Sequence, residues 1–228
     1  MASYIPGVLV EFGFRNKAVR FFVRNLADVI QNAHANGAFY EQDHLEVMEK
    51  HLKPGGVFLD VGANIGNHSV FVAKYCKPRE VILVEPNPEA IVLLRLNLLL
   101  NRLELDTKHV GVGLSDREQT AEPSVPANNL GGTKMVLKQD GRLKLVTGDS
   151  LFAERHIDFI KIDVEGQEMA VLAGLEKTIA NSRPSMFIEV DEENRAAFIA
   201  WVADHDYEVA HAFPRYLNQN FVVVPKAG

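Results

Sequence analysis

Cysteine occurs once in this chain, at Cys76, so no internal disulfide can form and no thiolate cluster can hold a metal. Basic residues are in the minority: 24 Lys and Arg against 30 Asp and Glu leave a formal charge of −6. Proteins that grip nucleic acid by neutralising phosphates usually carry the opposite balance, so nucleic acid is not the expected partner. No apolar run approaches the ~18 residues of a membrane span, and the richest stretch, from Ala90 to Leu100, is interrupted by Arg95 and Asn97. The opening, MASYIPGVLVEFGF, lacks a basic run followed by an apolar run and a small-residue cleavage site, so a cytoplasmic location is the expectation. Repeats and low-complexity tracts are missing, and the histidines show no zinc-ligand spacing. With 228 residues and 47% apolar content, a single domain over 1–228 with a full core is expected, domains averaging roughly 100–200 residues.

The opening reads as a hairpin. VLVEFGF (8–14) and AVRFFVRN (18–25) are β-branched and aromatic runs parted by Arg15-Asn16-Lys17, and helices over 26–36 and 41–52 complete an amino-terminal cap, 1–53. After the Lys53-Pro54-Gly55-Gly56 breaker the rhythm changes. VFLDV, VILVE, HVGVGL (109–114), IDFIKID (157–163) and SMFIEV alternate with helical stretches at 66–76, 88–101, 166–181 and 192–204. Apolar runs without period-2 alternation suit strands covered on both faces, so the expectation is a doubly wound, mostly parallel α/β sheet. Strands near 207–213 and 219–224, joined around 214–217, should form an antiparallel hairpin at one edge. The segment 115–147 is more irregular than a connection requires. With NNLGGT and two short strands, MVLK and LKLV, it reads as an insertion that shapes a pocket or a plain surface flap.

The chemistry concentrates in DVGANIGNHS (60–69), which follows a buried strand and opens a helix. Gly62 and Gly66 allow a tight turn and close approach to a ligand. Glu85, at the end of the next strand, stands where doubly wound folds place an acidic partner for ribose hydroxyls. The glycine spacing is G-x-x-x-G rather than G-x-G-x-x-G, with Asp60 ahead of it. A carboxylate is ill placed beside pyrophosphate but suits an ammonium, which favours S-adenosylmethionine over a nicotinamide dinucleotide.

DVGANIGNHS with VEPNP resembles the first two motifs of class I methyltransferases. FIKIDVEGQEMAVLAGLEKTI and PSMFIEV resemble the FkbM family within that class, as do YE at 40–41 ahead of LKPGGVFLDVGAN and the NNLGGT stretch. The resemblance spans about residues 39–190. It implies a seven-stranded Rossmann-like sheet and S-adenosylmethionine-dependent methylation, usually of oxygen. By the same resemblance Asp60, Gly62, Asn64 and Gly66 line the methionine end of the cofactor, and Glu85 holds the ribose with Pro86 and Asn87 following it. Gly113, Ser115 and Asp116 lie toward adenine, and Glu41 approaches from the cap. Asp163, Glu165 and Glu168 stand where methyl donor and acceptor meet.

A hydroxyl must lose a proton as it attacks, and a carboxylate or a metal can assist. Asp163 and Glu165 are therefore the candidate catalytic pair, Asp163 orienting a reactant and Glu165 contacting the acceptor. Oxygens of Asp163, Glu189 and Asp191 could also converge on Mg²⁺, as an alternative. Lys161, inside an apolar strand, is expected to pair with a carboxylate, and His68 to be scaffold. Phe12, Phe14, Phe21 and Phe22 fill a hairpin core or line an acceptor pocket. The expected partner is a small hydroxylated molecule, a sugar or secondary metabolite, not nucleic acid or membrane. Two rival readings stand beside this: a catalytically silent S-adenosylmethionine-binding interaction protein, and a nicotinamide-dependent dehydrogenase, which the glycine spacing disfavours.

Overall fold

Apolar strands that must be buried on both faces find their partners in one central sheet. The computed structural model describes residues 6–213 and 218–227. The cap comprises β1 (Val8–Phe14), β2 (Lys17–Val23), α1 (Val29–Ala35) and α2 (Gln42–Glu49). The sheet runs β3 (Val57–Val61), β4 (Glu80–Glu85), β5 (Asp106–Val110), β10 (Phe159–Ile162), β11 (Ser185–Asp191), β12 (Tyr207–Phe213) and β13 (Asn218–Pro225). Its order is β12-β13-β11-β10-β3-β4-β5, with β13 antiparallel to both its neighbours. The antiparallel edge pair expected from the sequence is present, while its connection at 214–217 lies outside the described residues.

Alternation sends Val57, Leu59 and Val61 to one face, against α6 (Glu168–Gly174), α7 (Glu176–Ser182) and α8 (Arg195–Asp204). Phe58 goes to the other face with Phe159 and Phe187, under the cap, α3 (Asn67–Phe71) and α4 (Pro88–Leu100). Polar Asp60, Lys161, Glu189 and Asn220 continue that second face toward the carboxyl ends of the strands. Because β3 leads to β4 on one side and has β10 on the other, a crevice opens between them at those ends.

Local chemistry explains the element boundaries. Arg15 and Asn16 both take positive φ, 43° and 63°, which suits the twist of a two-residue hairpin turn. Helix α1 starts later than expected, after Asp28, whose carboxylate accepts the Ile30 and Gln31 N–H groups. At α4, Asn87 accepts the Glu89 N–H and Pro88 occupies the first turn. Phe12, Phe14 and Phe21 pack edge-on around Phe39, Phe71 and Tyr75, so they form core rather than pocket.

Three expectations need correction. The strand expected over 109–114 breaks at Gly111 (φ +112°), leaving β5 in the main sheet and β6 (Val112–Ser115) in another. The insertion is more ordered than a flap: β6, β7 (Gln119–Ser124), β8 (Lys134–Leu137) and β9 (Leu143–Thr147) form a second sheet of order β6-β9-β7-β8, and α5 (Asp149–Phe152) follows it. The helix expected over 166–181 begins only at Glu168 and divides at Leu175. Its Gly174 lies so close to β6 that a Cβ there would sit 2.0 Å from the Ser115 carbonyl oxygen.

Candidate active site

The crevice between β3 and β10 holds two connected compartments. The inner one is a slot. Its first wall is the loop after β3, where Gly62 takes φ +78° and its N–H, with that of Ala63, bonds to the Val84 carbonyl. A Cβ on Gly62 would stand 1.9 Å from the Asp163 carbonyl oxygen, so the two loops touch only because this residue is glycine. Glu85 closes the slot from β4: Oε2 accepts the Asn64 N–H and Oε1 the Asn87 N–H, each at 2.7 Å. Burial pushes its pKa up to about 7, against those two N–H groups, which favour the anion. Gly113 and Leu145 line the far side, where a Cβ on Gly113 would meet Leu145 at 2.6 Å. Leu130, Gly131, Thr133 and Met135 cover the slot from the insertion.

The outer compartment is an open chamber of about 530 Å³. Asp163, Glu165, Glu189, Asp191, Glu192 and Glu193 line it, together with Tyr40, Asn218 and Lys134. Glu165 sits at φ +51° and is followed by Gly166 at +96°, a turn that holds its carboxylate above the strand ends. Burial, then Asp163 and Asp191, raise the Glu165 pKa to about 7. Burial, then Asp163, raise that of Glu189 to about 8, although the Asn218 amide donates to Glu189 Oε1 at 2.6 Å. Oxygens of Asp163, Glu165 and Glu189 lie within 4.8 Å of one another. The trio differs from the expected set, because Asp191 turns to Lys134 at 3.4 Å. Three such carboxylates are the donor chemistry of a hard cation, and in their own company the crowding keeps protons on Glu165 and Glu189.

Beneath both compartments lies a neutralised floor. Lys161, 1% exposed, places Nζ 3.4 Å from Asp60 Oδ1, 3.3 Å from Asp163 Oδ2 and 2.5 Å from the Gly62 carbonyl oxygen. Burial lowers its pKa, but Asp163 and Asp60 outweigh that and hold it above the ordinary lysine value. Asp60 is fully buried and also accepts the Ser69 hydroxyl. The expectation that the Asp60 carboxylate meets a ligand's ammonium is therefore corrected: its charge answers Lys161, and Glu85 is the buried carboxylate that lines the slot.

Of the residues expected at the site, Gly62, Asn64, Glu85, Pro86, Asn87, Gly113, Asp163 and Glu165 line the compartments. Asp60 and Gly66 lie behind the loop, Gly66 starting α3 at φ +91°. Glu41, Ser115 and Asp116 are placed elsewhere. The Glu41 carboxylate is 3.4 Å from His44 Nδ1, and Ser115 is buried with its hydroxyl against Gln119 and Asp116. Glu168 folds back on its own loop, accepting the Gly166 N–H and the Asn194 amide. Buried His68 packs near Phe187, and burial holds its pKa well below the ordinary range. Met135, Leu145 and Asn218 had no sequence signal of their own, whereas Tyr40 belongs to the YE at 40–41 and Gly131 to the NNLGGT stretch, both already singled out.

A family profile described as "Methyltransferase FkbM domain" matches residues 60–209. The Hexuronic acid methyltransferase AglP of Haloferax volcanii is 28% identical over 161 residues, and the match takes in 69% of this chain but only 64% of that protein. Among solved structures, the Methyltransferase FkbM from Methylobacillus flagellatus KT superposes with a TM-score of 0.52 at 17% identity, covering 85% of this chain and 52% of that one. A ribosomal protein L11 methylase from Lactobacillus delbrueckii subsp. bulgaricus does so at 0.52 and 11% identity, covering 96% and 82%. At such identities the two structures bear on the fold alone, and the fold is that of the class I methyltransferases.

Proposed function

The chain belongs to the FkbM methyltransferase family, and from that premise we propose that it methylates a hydroxyl of a small molecule, a sugar or secondary metabolite, with S-adenosylmethionine as donor. One observation carries the reading: Asn64, Gly131, Asp163 and Glu165 line both compartments, so a ligand lying in the slot presents its end to the chamber. The residues suit a nucleoside that carries an amino acid. Glu85 is an acceptor pair pre-aimed by two backbone N–H groups, and the buried Asn64 Oδ1 accepts no hydrogen bond from the described residues.

When bound, S-adenosylmethionine supplies an electrophilic methyl group. The chain's own work is positioning and proton handling. Glu85 accepts from the ribose hydroxyls, and the glycine loop admits the methionine end at close range. Asp163, held beside Lys161 at 3.3 Å, orients the reactants for in-line transfer. Glu165, with its pKa at about 7, suits taking the acceptor's proton near neutral pH. Lys134 is the cation among the described lining residues, and Asp191 already engages it. With that lysine engaged and the rest of the lining acidic, the chamber offers a uronate no free counter-charge among the described residues, so the acceptor proposed here is an uncharged polyol rather than the hexuronic acid in the relative's name.

Incubation with labelled methyl donor and a panel of hydroxylated acceptors, read by mass spectrometry, tests the proposal. Calorimetry with S-adenosylhomocysteine and NAD separates it from its rivals. Binding of NAD alone would favour a dehydrogenase, and binding without turnover of any acceptor would favour a silent interaction protein.

A further inference from the structure

We propose that Lys161 is a positioning residue whose ammonium clamps the loop after β3 to the loop after β10, setting the wall of the slot and the aim of Asp163 together. The inference rests on the methyltransferase reading of the crevice. Asp60 and Lys161 are register partners on β3 and β10, the two strands whose carboxyl ends part to form that crevice. From this seam Nζ reaches the Gly62 carbonyl on one loop and the Asp163 carboxylate on the other. Gly62 and Asp163 both line the slot. A buried ion triad is weak evidence for stability, since well-packed apolar side chains often do as well. Its value here is directional: three oxygens around one ammonium fix the separation of two loops that no strand hydrogen bond joins beyond the Asp163 N–H to Val61.

The test compares the charge-matched pair D60N/K161M with I160V, a stability control from the same strand. Ile160 packs on the opposite face, away from the slot. S-adenosylhomocysteine affinity by calorimetry is expected to fall about 10-fold or more in D60N/K161M, the loss of roughly one hydrogen bond at the displaced wall of the slot. I160V should keep wild-type affinity even if its melting temperature drops as far. Amide resonances of residues 62–64 and 163–166 should move together in D60N/K161M, a signature that general destabilisation would not confine to these loops. Affinity within about threefold of wild type in D60N/K161M, roughly the range of a neutral change, would overturn the clamp. Perturbation limited to one loop would overturn it as well. If wild type itself fails to bind S-adenosylhomocysteine, the methyltransferase reading fails, and the amide signature alone then decides whether Lys161 joins the loops.

Discussion

Two acidic regions meet at Asp163 and behave in opposite ways. Below the β3–β10 seam, Asp60, Ser69 and Lys161 answer one another, and the region is closed to solvent. Above it, Asp163, Glu165, Glu189 and Asp191 crowd an open chamber with Lys134 as counter-charge. The same residue type serves architecture where it is neutralised and is left for ligand chemistry where it is not. Burial first, and like-charged neighbours after it, let Glu165 and Glu189 hold protons near neutral pH, which is what a proton-transfer site requires.

The sharpest way to break this contrast is to replace the residue that belongs to both regions. D163A leaves Lys161 paired with Asp60, so the variant should unfold cooperatively yet lose turnover by ~10³-fold or more, the scale of a misplaced reacting geometry. Turnover retained in a methyl-transfer assay would remove Asp163 from the chemistry. Next come two glycines with positive φ. G62A drives a Cβ against the Asp163 carbonyl and should cost about 3 kcal/mol or more in denaturant unfolding. G111A has open space around it and should cost only ~1–2 kcal/mol from backbone strain. Equal losses would mean that the contact between the two loops does not matter.

A smaller effect is expected from E85Q, which keeps the shape but removes the charge and leaves one of the two backbone N–H groups facing an NH2 donor. S-adenosylhomocysteine affinity should weaken by roughly 30-fold, in line with charged hydrogen bonds to hydroxyls, and an unchanged affinity would take Glu85 out of the slot's recognition. The smallest concerns pH. Glu85 and Glu165 at about 7 and Glu189 at about 8 hold protons in the folded state that the unfolded chain has lost above its ordinary 4.5. Stability should therefore fall as pH rises from ~5 to 8. Buried His34, its pKa lowered from 6.5 to about 4, acts oppositely, and its contribution is lost as pH falls through that window. Three raised carboxylates outweigh the one histidine throughout, so the melting temperature should fall from about pH 5 to 8, and E165Q/E189Q should flatten that alkaline limb. A limb unchanged in that variant would show that the chamber carboxylates titrate normally.

Much of this was legible in the chain. The run VFLDVGAN, closed by VEPNP, announces a strand, a glycine turn and an acidic strand end, because each step is dictated locally by burial, φ and spacing. Asp163 and Glu165 were legible for the same reason: strand ends in a doubly wound sheet face the crevice. Gly111 was not, since one glycine in HVGVGL gives no warning that the strand will leave one sheet for another. Asp60 was misread for a related reason. Its partner is Lys161, about a hundred residues later, and only pairing of β3 with β10 brings them together.

Local pattern thus determined the elements, their alternation, and the identity of the loops that reach a ligand. Tertiary structure decided which charges cancel. Electrostatic roles depend on separations of a few ångströms between distant segments and on exclusion of water, and neither is written in any single stretch. It also decided that the insertion, through Leu130, Gly131, Thr133 and Met135, covers the slot. Of these four, Met135 alone lies in a strand of the second sheet, where a half-buried side chain looks alike in sequence whether its neighbour is solvent or a ligand, and the other three sit in the NNLGGT stretch before it.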